Sequence, residues 1–385
     1  ATYPWADQGG KPDTDMLATF KQLIGLRNQH AVLRRGTIGA PLYVDDHSIV
    51  LLRQLGSSVA ITATNNALTA QNVTVQLPPG VHVDRFTDAL GGPSVTVAQD
   101  KLTLTLPALY GAVLLGTEVA VAAQAPEPLR VMSYNIRCGS CERESDVNHW
   151  SRRKHLVADV IKNAHPDVIG LQEAELFQVN DLVSLLSDFD WVGVGRDDGK
   201  EQGEINAVLV RRSALSIVSQ KTLWLSETPE AVSRGWDAML NRTVAVLALE
   251  SRATGRGLNF LNTHFDHAGV VARSESAKLI EKLVQAFGTN RPVVLTGDLN
   301  ARSDFGGYKN LTRQLRDAAT ASQVPATGGN ITFNGFGTDM QPDNKIDYIF
   351  VSPGVEVRKH RVVTDLYNGL YPSDHFPLVV EILLH

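Results

Sequence analysis

Between Leu129 and His385 six short segments put polar side chains where apolar runs stop, and this pattern constrains the fold more than any other feature of the chain. Val131-Met-Ser-Tyr-Asn135 ends in an amide, Val168-Ile-Gly-Leu-Gln-Glu173 in a carboxylate and Leu261-Asn-Thr-His264 in an imidazole. Val294-Leu-Thr-Gly-Asp298-Leu-Asn300 ends in a carboxylate and an amide two residues apart, a spacing that points both side chains to one face of an extended chain. Lys345-Ile-Asp347-Tyr-Ile-Phe350 and Tyr371-Pro-Ser-Asp374-His375-Phe-Pro377 add an Asp and an Asp-His pair. A lone Asp after a strand is a turn former, and a lone histidine such as His30 or His360 is a structural or solvated group. Six such endings in one stretch predict instead that several strands deliver their polar ends to one place.

The strands expected here are Leu129–Tyr134, Val168–Leu171, Ala207–Val210, Val244–Leu249, Leu258–Asn262, Val293–Thr296, Tyr348–Val351 and Leu378–Ile382. Helices are expected over Trp150–Asn163, Val179–Leu186 and Val270–Phe287. Strands dominate and helices are interspersed, so the expected fold is a two-layer β-sandwich flanked by helices. Upstream, Leu17, Phe20, Leu23 and Ile24 recur near helical spacing within residues 13–33, with Asp13 or Thr14 as cap and Gly36 as stop. Short alternating strands follow: Ser48–Gln54, Ser58–Thr64, Gln71–Leu77, Ser94–Ala98, Lys101–Leu106 and Gly111–Leu115. They predict a smaller all-β sandwich behind an N-terminal helix in residues 1–116. The Ala/Pro-rich stretch 117–128 reads as a linker, and 129–385 as the second domain.

The segments SYNIR, GLQE, NTHFDH, LTGDLN, KIDYIF and YPSDHFP, in this order, resemble the endonuclease/exonuclease/phosphatase superfamily with its DNase I-like fold. The resemblance implies a metal-dependent hydrolase that cleaves a phosphate ester with an activated water. Such hydrolysis needs an aligned water, neutralised phosphoryl oxygens and help for the departing oxygen. A hard cation such as Mg²⁺, or Mn²⁺ in its place, prefers oxygen ligands, which Glu173 and Asn135 supply, with Asp374 joining the metal shell or bonding a metal-bound water. Asp298 takes the proton from the water or orients it, and Asn300 fixes its geometry. His375 binds a phosphoryl oxygen, Asp347 orients that imidazole and favours its protonated form, and His264 is a second phosphate contact. Arg242 resembles the family's phosphate-binding arginine, since a guanidinium fits a phosphate bidentately. Asn206 is placed facing the cleft. His267 is either a substrate contact or loop scaffolding, and Trp236 either stacks on substrate or packs its loop down. The polar loop from Gly195 to Glu204 and the connection from Ser226 to Asp237 are expected to define the substrate.

In the first 116 residues, Tyr3-Pro-Trp5, Leu23-Ile-Gly-Leu-Arg27-Asn-Gln-His30 and Leu33-Arg-Arg-Gly36 resemble the end of an α-amylase-family glycoside hydrolase. The resemblance implies the last barrel helix and a C-terminal β-domain, without catalytic carboxylates; a barrel of about 200 residues or more is missing, so no glycosidase activity is assigned.

Charge narrows the partners. The net charge is −5, with 8 basic and 9 acidic residues before Ala125 and 28 and 32 from there on. Neither part has the basic excess of a dedicated nucleic-acid binder. A phosphate ester, sugar- or nucleotide-linked, is therefore the expected substrate. A nuclease acting on nucleic acid is the runner-up, and a carbohydrate-associated binding protein with an inactive hydrolase domain the third reading. No apolar run approaches the roughly 18 residues of a membrane span, and oligomeric state is not encoded in any pattern found. Cys138 and Cys141, the only cysteines, form either a local disulfide or a pair of free thiols. Ala1 in place of Met points to a processed or excised polypeptide, and a secreted or periplasmic location is the expectation.

Overall fold

The computed structural model describes residues 13–117, 127–287 and 291–384. Tyr3-Pro-Trp5 and most of the expected linker lie outside these residues. The chain forms two compact units, 1–124 and 125–385.

In the first unit, Asp13 caps α1 (Thr14–Gln29) by accepting the Met16 N–H at 2.9 Å. The single helix expected over 13–33 is corrected to two, because His30 adopts an extended backbone before α2 (Ala31–Arg35). The cause lies in burial. Leu17, Phe20, Leu23 and Ile24 of α1 are exposed, whereas Val32 and Leu33 of α2 pack on Ala60. The strands are β1 (Thr37–Ile38), β2 (Tyr43–Val44), β3 (Ser48–Leu55), β4 (Ser58–Asn65), β5 (Gln71–Gln76), β6 (Arg85–Asp88), β7 (Val95–Thr96), β8 (Lys101–Leu106) and β9 (Tyr110–Thr117). One sheet runs β1-β3-β4-β9-β6-β7 with β2 also on β3, and β5 pairs with β8. Strict alternation in β8 sends Leu102, Leu104 and Leu106 inward to meet Phe86 and Ile61.

The second unit begins with β10 (Glu127–Asn135), α3 (Trp150–Ala164), β11 (Val168–Gln172), α4 (Leu176–Leu185), β12 (Phe189–Val192), β13 (Val208–Arg211) and β14 (Leu215–Trp224). It continues with β15 (Thr243–Ser251), β16 (Gly257–His264), α5 (Val270–Phe287), β17 (Val293–Asp298), β18 (Arg316–Asp317), β19 (Asp347–Val351), β20 (Glu356–Val362) and β21 (Leu378–Leu384). Two six-stranded sheets result, ordered β12-β13-β11-β10-β21-β20 and β14-β15-β16-β17-β19-β18. Each holds one parallel pair, β10 with β11 and β16 with β17, linked by a crossover helix. The fold is the DNase I-like sandwich expected from the sequence. An inter-sheet core contains Val131, Val168, Leu247, Phe260, Val294, Ile349 and Val380. Met132, Ile169 and Leu171 pack with α3 and α4, and Leu261, Leu295 and Phe350 with α5. β12, β14, β18 and β20 were not expected. Their burial patterns are broken or their runs too short to alternate, as in β14, which carries a register shift between Ile217 and Ser219.

A buried polar pin crosses between the sheets. Asn262 of β16 accepts from Gln172 (2.7 Å) and Thr296 (3.0 Å) and donates to the Leu171 carbonyl (2.7 Å). A Cβ on Gly170 would lie 2.1 Å from the Thr296 hydroxyl and 2.5 Å from the Asn262 oxygen, so only glycine admits this contact.

His360 in β20 is buried, and among the described residues neither ring nitrogen has a hydrogen-bond partner. Burial, reinforced by Lys345, pushes its pKa down to about 4. The folded pKa lies below the unfolded value of about 6.5, so the unfolded chain takes up the proton first and stability falls as pH drops from 6.5 to 4. His360→Leu is expected to raise stability by about 1–3 kcal/mol at neutral pH, since it removes unpaired polar atoms. The same change should flatten that acid limb in urea titrations. Equal acid sensitivity in both proteins would contradict this account.

Candidate active site

The expected polar ends meet because of ladder register. Asn135 closes β10, Glu173 follows β11, His264 closes β16, Asp298 closes β17 and Asp347 opens β19. Within one sheet His264 is opposite Asp298, and Asp298 is opposite Asp347. Asp374 and His375 enter from the turn before β21. Arg153 of α3 fastens this end: its guanidinium donates to the carbonyls of Ile136 (2.5 Å), Arg137 (2.9 Å) and Pro372 (3.3 Å) and pairs with Glu142 at 2.6 Å. The backbone is left-handed at Arg137 (φ 60°), Glu173 (φ 59°) and Asn300 (φ 47°). Strain of this kind persists only where surrounding contacts impose it.

A cavity of about 370 Å³ opens here, and Glu173, Glu204, Arg242, His264, His267, Asp298, Asn300, Asp374 and His375 line it. Asn135 lies beneath, donating its Nδ2 to Glu173 Oε1 (3.0 Å) and Asp298 Oδ2 (3.0 Å), while its own oxygen accepts the Arg137 N–H (3.1 Å). Asn135 thus turns its nitrogen, and not the expected oxygen, towards the two carboxylates. The second Glu173 oxygen accepts the Cys138 N–H at 3.1 Å.

Asp347 and His375 form a buried pair, Nδ1 to Oδ2 at 2.9 Å. Burial alone would lower the imidazole pKa, but Asp347, with Asp298 and Asp374, raises it to about 10. His375 is therefore an imidazolium at neutral pH, with Nε2 3.8 Å from Asp298 Oδ2. Burial and the adjacent Asp347 push the Asp298 carboxyl up to about 7, against the pull of His375. Its Oδ1 accepts the Asn300 N–H at 2.8 Å. Burial also raises Asp374, whose Oδ2 lies 3.5 Å from Arg137.

His264 behaves oppositely. Burial and then Arg242 hold its pKa well below the ordinary histidine value. The Asn300 amide donates to its Nε2 (3.0 Å), which assigns the proton to Nδ1. That Nδ1 has no hydrogen-bond partner among the described residues and lies 3.6 Å from Glu204. Arg242 is buried between Asp266 (3.4 Å), His267 (3.1 Å) and Glu204 (3.8 Å), with Nη1 lacking a hydrogen bond to any of the described residues. Two unspent donors, His264 Nδ1 and Arg242 Nη1, thus flank the cavity, as an incoming phosphoryl group requires.

Of the expected substrate contacts, Asn206 and Trp236 stand apart from the cavity lining. Asn206 is buried and gives its Nδ2 to the Thr243 carbonyl (2.8 Å) and hydroxyl (2.9 Å). Trp236, with φ 49°, donates its backbone N–H to Glu227. Glu204, Asp266, Arg137 and Phe333 were not singled out from the sequence. Glu204 closes the polar loop flagged as substrate-defining and pairs with Arg196 at 2.7 Å, and Asp266 sits inside the NTHFDH segment. Phe333 packs edge-on against His375, ring centroids 5.0 Å apart, and only the fold reveals it.

The donor set fits a hard divalent cation. Glu173, His264 and Asp298 present atoms within 4.8 Å of one another, and so do Asp298, Asp347 and His375. The second group is already satisfied as an ion pair. In the first, two carboxylates face each other across one amide, a repulsion that a cation with oxygen ligands relieves.

The model of the endonuclease/exonuclease/phosphatase family matches residues 132–375. A crystal structure of a protein of that family from Bacteroides thetaiotaomicron is 35% identical, with a TM-score of 0.63, covering 68% of this chain and 99% of its own. A mannosyl-6-phosphatase of the same organism is also 35% identical, with a TM-score of 0.62, covering 66% of this chain and 100% of its own. An amylopullulanase of Thermoanaerobacter thermohydrosulfuricus is 29% identical over 142 residues, 33% of this chain and 9% of its own. The chain spans less than half the length of the first curated relatives it matches.

Proposed function

The chain belongs to the endonuclease/exonuclease/phosphatase family and is a phosphoester hydrolase, and within that family we propose a Mg²⁺-dependent phosphatase acting on a phosphorylated sugar. One observation carries the substrate class: the cavity of about 370 Å³ is near the small end for ligand sites, roughly 300–1,000 Å³. Identity of 35% to a mannosyl-6-phosphatase along its full length supports the same reading.

Glu173 would hold the cation, which when bound neutralises phosphoryl oxygens and lowers the pKa of water. His375 donates from Nε2 to a phosphoryl oxygen, its charge maintained by Asp347. Arg242 Nη1 and His264 Nδ1 donate to further oxygens. Asp298, with Asn300 fixing its orientation, accepts the proton of the attacking water. Asp374 keeps Arg137 at the rim.

For the first unit we propose descent from an amylase-type β-domain, with the amylopullulanase match in support. We also propose a secreted or periplasmic location, with which the Cys138–Cys141 disulfide accords.

The test is hydrolysis of hexose 6-phosphates, p-nitrophenyl phosphate, its bis-ester and an oligonucleotide, with Mg²⁺ and with chelator. The expected result is metal-dependent turnover in which hexose phosphates exceed the diesters by at least about a hundredfold in kcat/KM, about 3 kcal/mol of transition-state discrimination. Preference for the oligonucleotide would replace this reading with a nuclease.

A further inference from the structure

The turn after β10 carries three backbone N–H groups that all serve the segment after β11. Cys138 donates to Glu173 Oε2 at 3.1 Å, Gly139 to Gln178 Oε1 at 3.0 Å and Ser140 to Glu175 Oε2 at 2.7 Å. Gln178 returns the contact through Nε2 to the Arg137 carbonyl at 2.8 Å and accepts the Glu175 N–H at 3.1 Å. A Cβ on Gly139 would lie 2.5 Å from the Phe177 ring, so the turn is pressed against α4. The Cys138–Cys141 disulfide closes this turn, and both cysteines line the catalytic cavity. Cys138 is buried while Cys141 is exposed.

We propose that the Cys138–Cys141 disulfide is a positioning element for Glu173 and sets the affinity of the site for its divalent cation, so that a small dithiol lowers that affinity reversibly. The proposal rests on the metal reading of Glu173 given above. One Glu173 oxygen is held by Asn135 and the other, among the described residues, by the Cys138 N–H alone; with both fixed, the carboxylate is preorganised for a cation. Glu173 and Arg137 both have left-handed backbone, a conformation their side chains disfavour and which the closed turn helps to impose. The bridge spans three positions, so it removes little chain entropy from the unfolded state and reduction meets little opposition there. In the step itself, a dithiol passes two electrons and two protons to the protein: the sulfur–sulfur bond breaks, Cys138 and Cys141 become thiols, and the dithiol leaves as its own disulfide. Cys141, the exposed residue of the pair, is the point of entry.

Mn²⁺ alone is the probe, its binding to the full chain followed by electron paramagnetic resonance without substrate. The oxidised protein is expected to bind Mn²⁺ at least tenfold more tightly than the dithiothreitol-reduced protein, and reoxidation should restore the affinity. The double variant Cys138→Ser, Cys141→Ser should match the reduced protein and ignore the dithiol. Equal affinity in the oxidised, reduced and double-serine proteins would overturn the proposal. Loss of the native circular dichroism spectrum on reduction would also overturn it, since the bridge would then hold the fold and not Glu173. Absence of Mn²⁺ binding by the oxidised protein would overturn the metal reading itself, a separate failure visible before any reductant is added.

Discussion

Asp298→Asn is expected to lower kcat on whichever phosphate ester is turned over fastest by roughly a thousandfold, within the range of about 10²–10⁴ for loss of a proton-transfer group. The amide keeps the shape of the carboxyl, and its oxygen can still accept the Asn300 N–H. What disappears is the proton acceptor, held near neutrality by burial and by Asp347. Binding of inorganic phosphate, followed by calorimetry with Mg²⁺, should persist, because Arg242, His264 and His375 remain. A kcat within tenfold of wild type would remove Asp298 from proton transfer.

The second large effect is expected from Asp347→Asn. His375 keeps its proton up to a pKa of about 10 because Asp347, helped by Asp298 and Asp374, outweighs burial. Without the Asp347 charge, burial dominates and the imidazole loses its proton at neutral pH. Activity of the variant at pH 8 should fall by at least about a hundredfold, whereas the wild type should show no His375-linked loss until about pH 10. Stability follows the same sign: the raised pKa contributes fully below about 6.5 and is lost as pH rises through about 10. A kcat–pH profile of the same form in both proteins would show that His375 does not act as an imidazolium.

The central strands were legible in the sequence because they combine an apolar run with a polar stop. Val168 to Gln172 is buried throughout and then reaches Glu173 at the cleft, a transition that composition alone displays. β14 was illegible for the opposite reason: its middle residues Ser219 to Lys221 are exposed and its register shifts, so no period survives. In the site, Asp298, Asn300, Asp347 and His375 could be read from their short segments. Glu204 and Phe333 could not, because they belong to the site through distant pairing, Glu204 through Arg196 and Arg242 and Phe333 through its ring contact with His375. Trp236 shows the converse limit: side-chain type offers either stacking on substrate or packing of its own loop, and the residue is not among those lining the cavity. The break at His30 escaped notice because helical spacing carries no information about what the helix packs against.

The pin joining Asn262, Gln172, Thr296 and the space left by Gly170 separates two kinds of evolutionary freedom. The strand ends that perform the chemistry are registered against each other through the interior, so changes in the loops leave their spacing intact. The segments from Gly195 to Glu204 and from Ser226 to Asp237 lie outside that registration, and of them Glu204 reaches the cavity, beside Arg242 and His264. A single methyl group added at residue 170 would disturb the chemistry from within while touching no ligand.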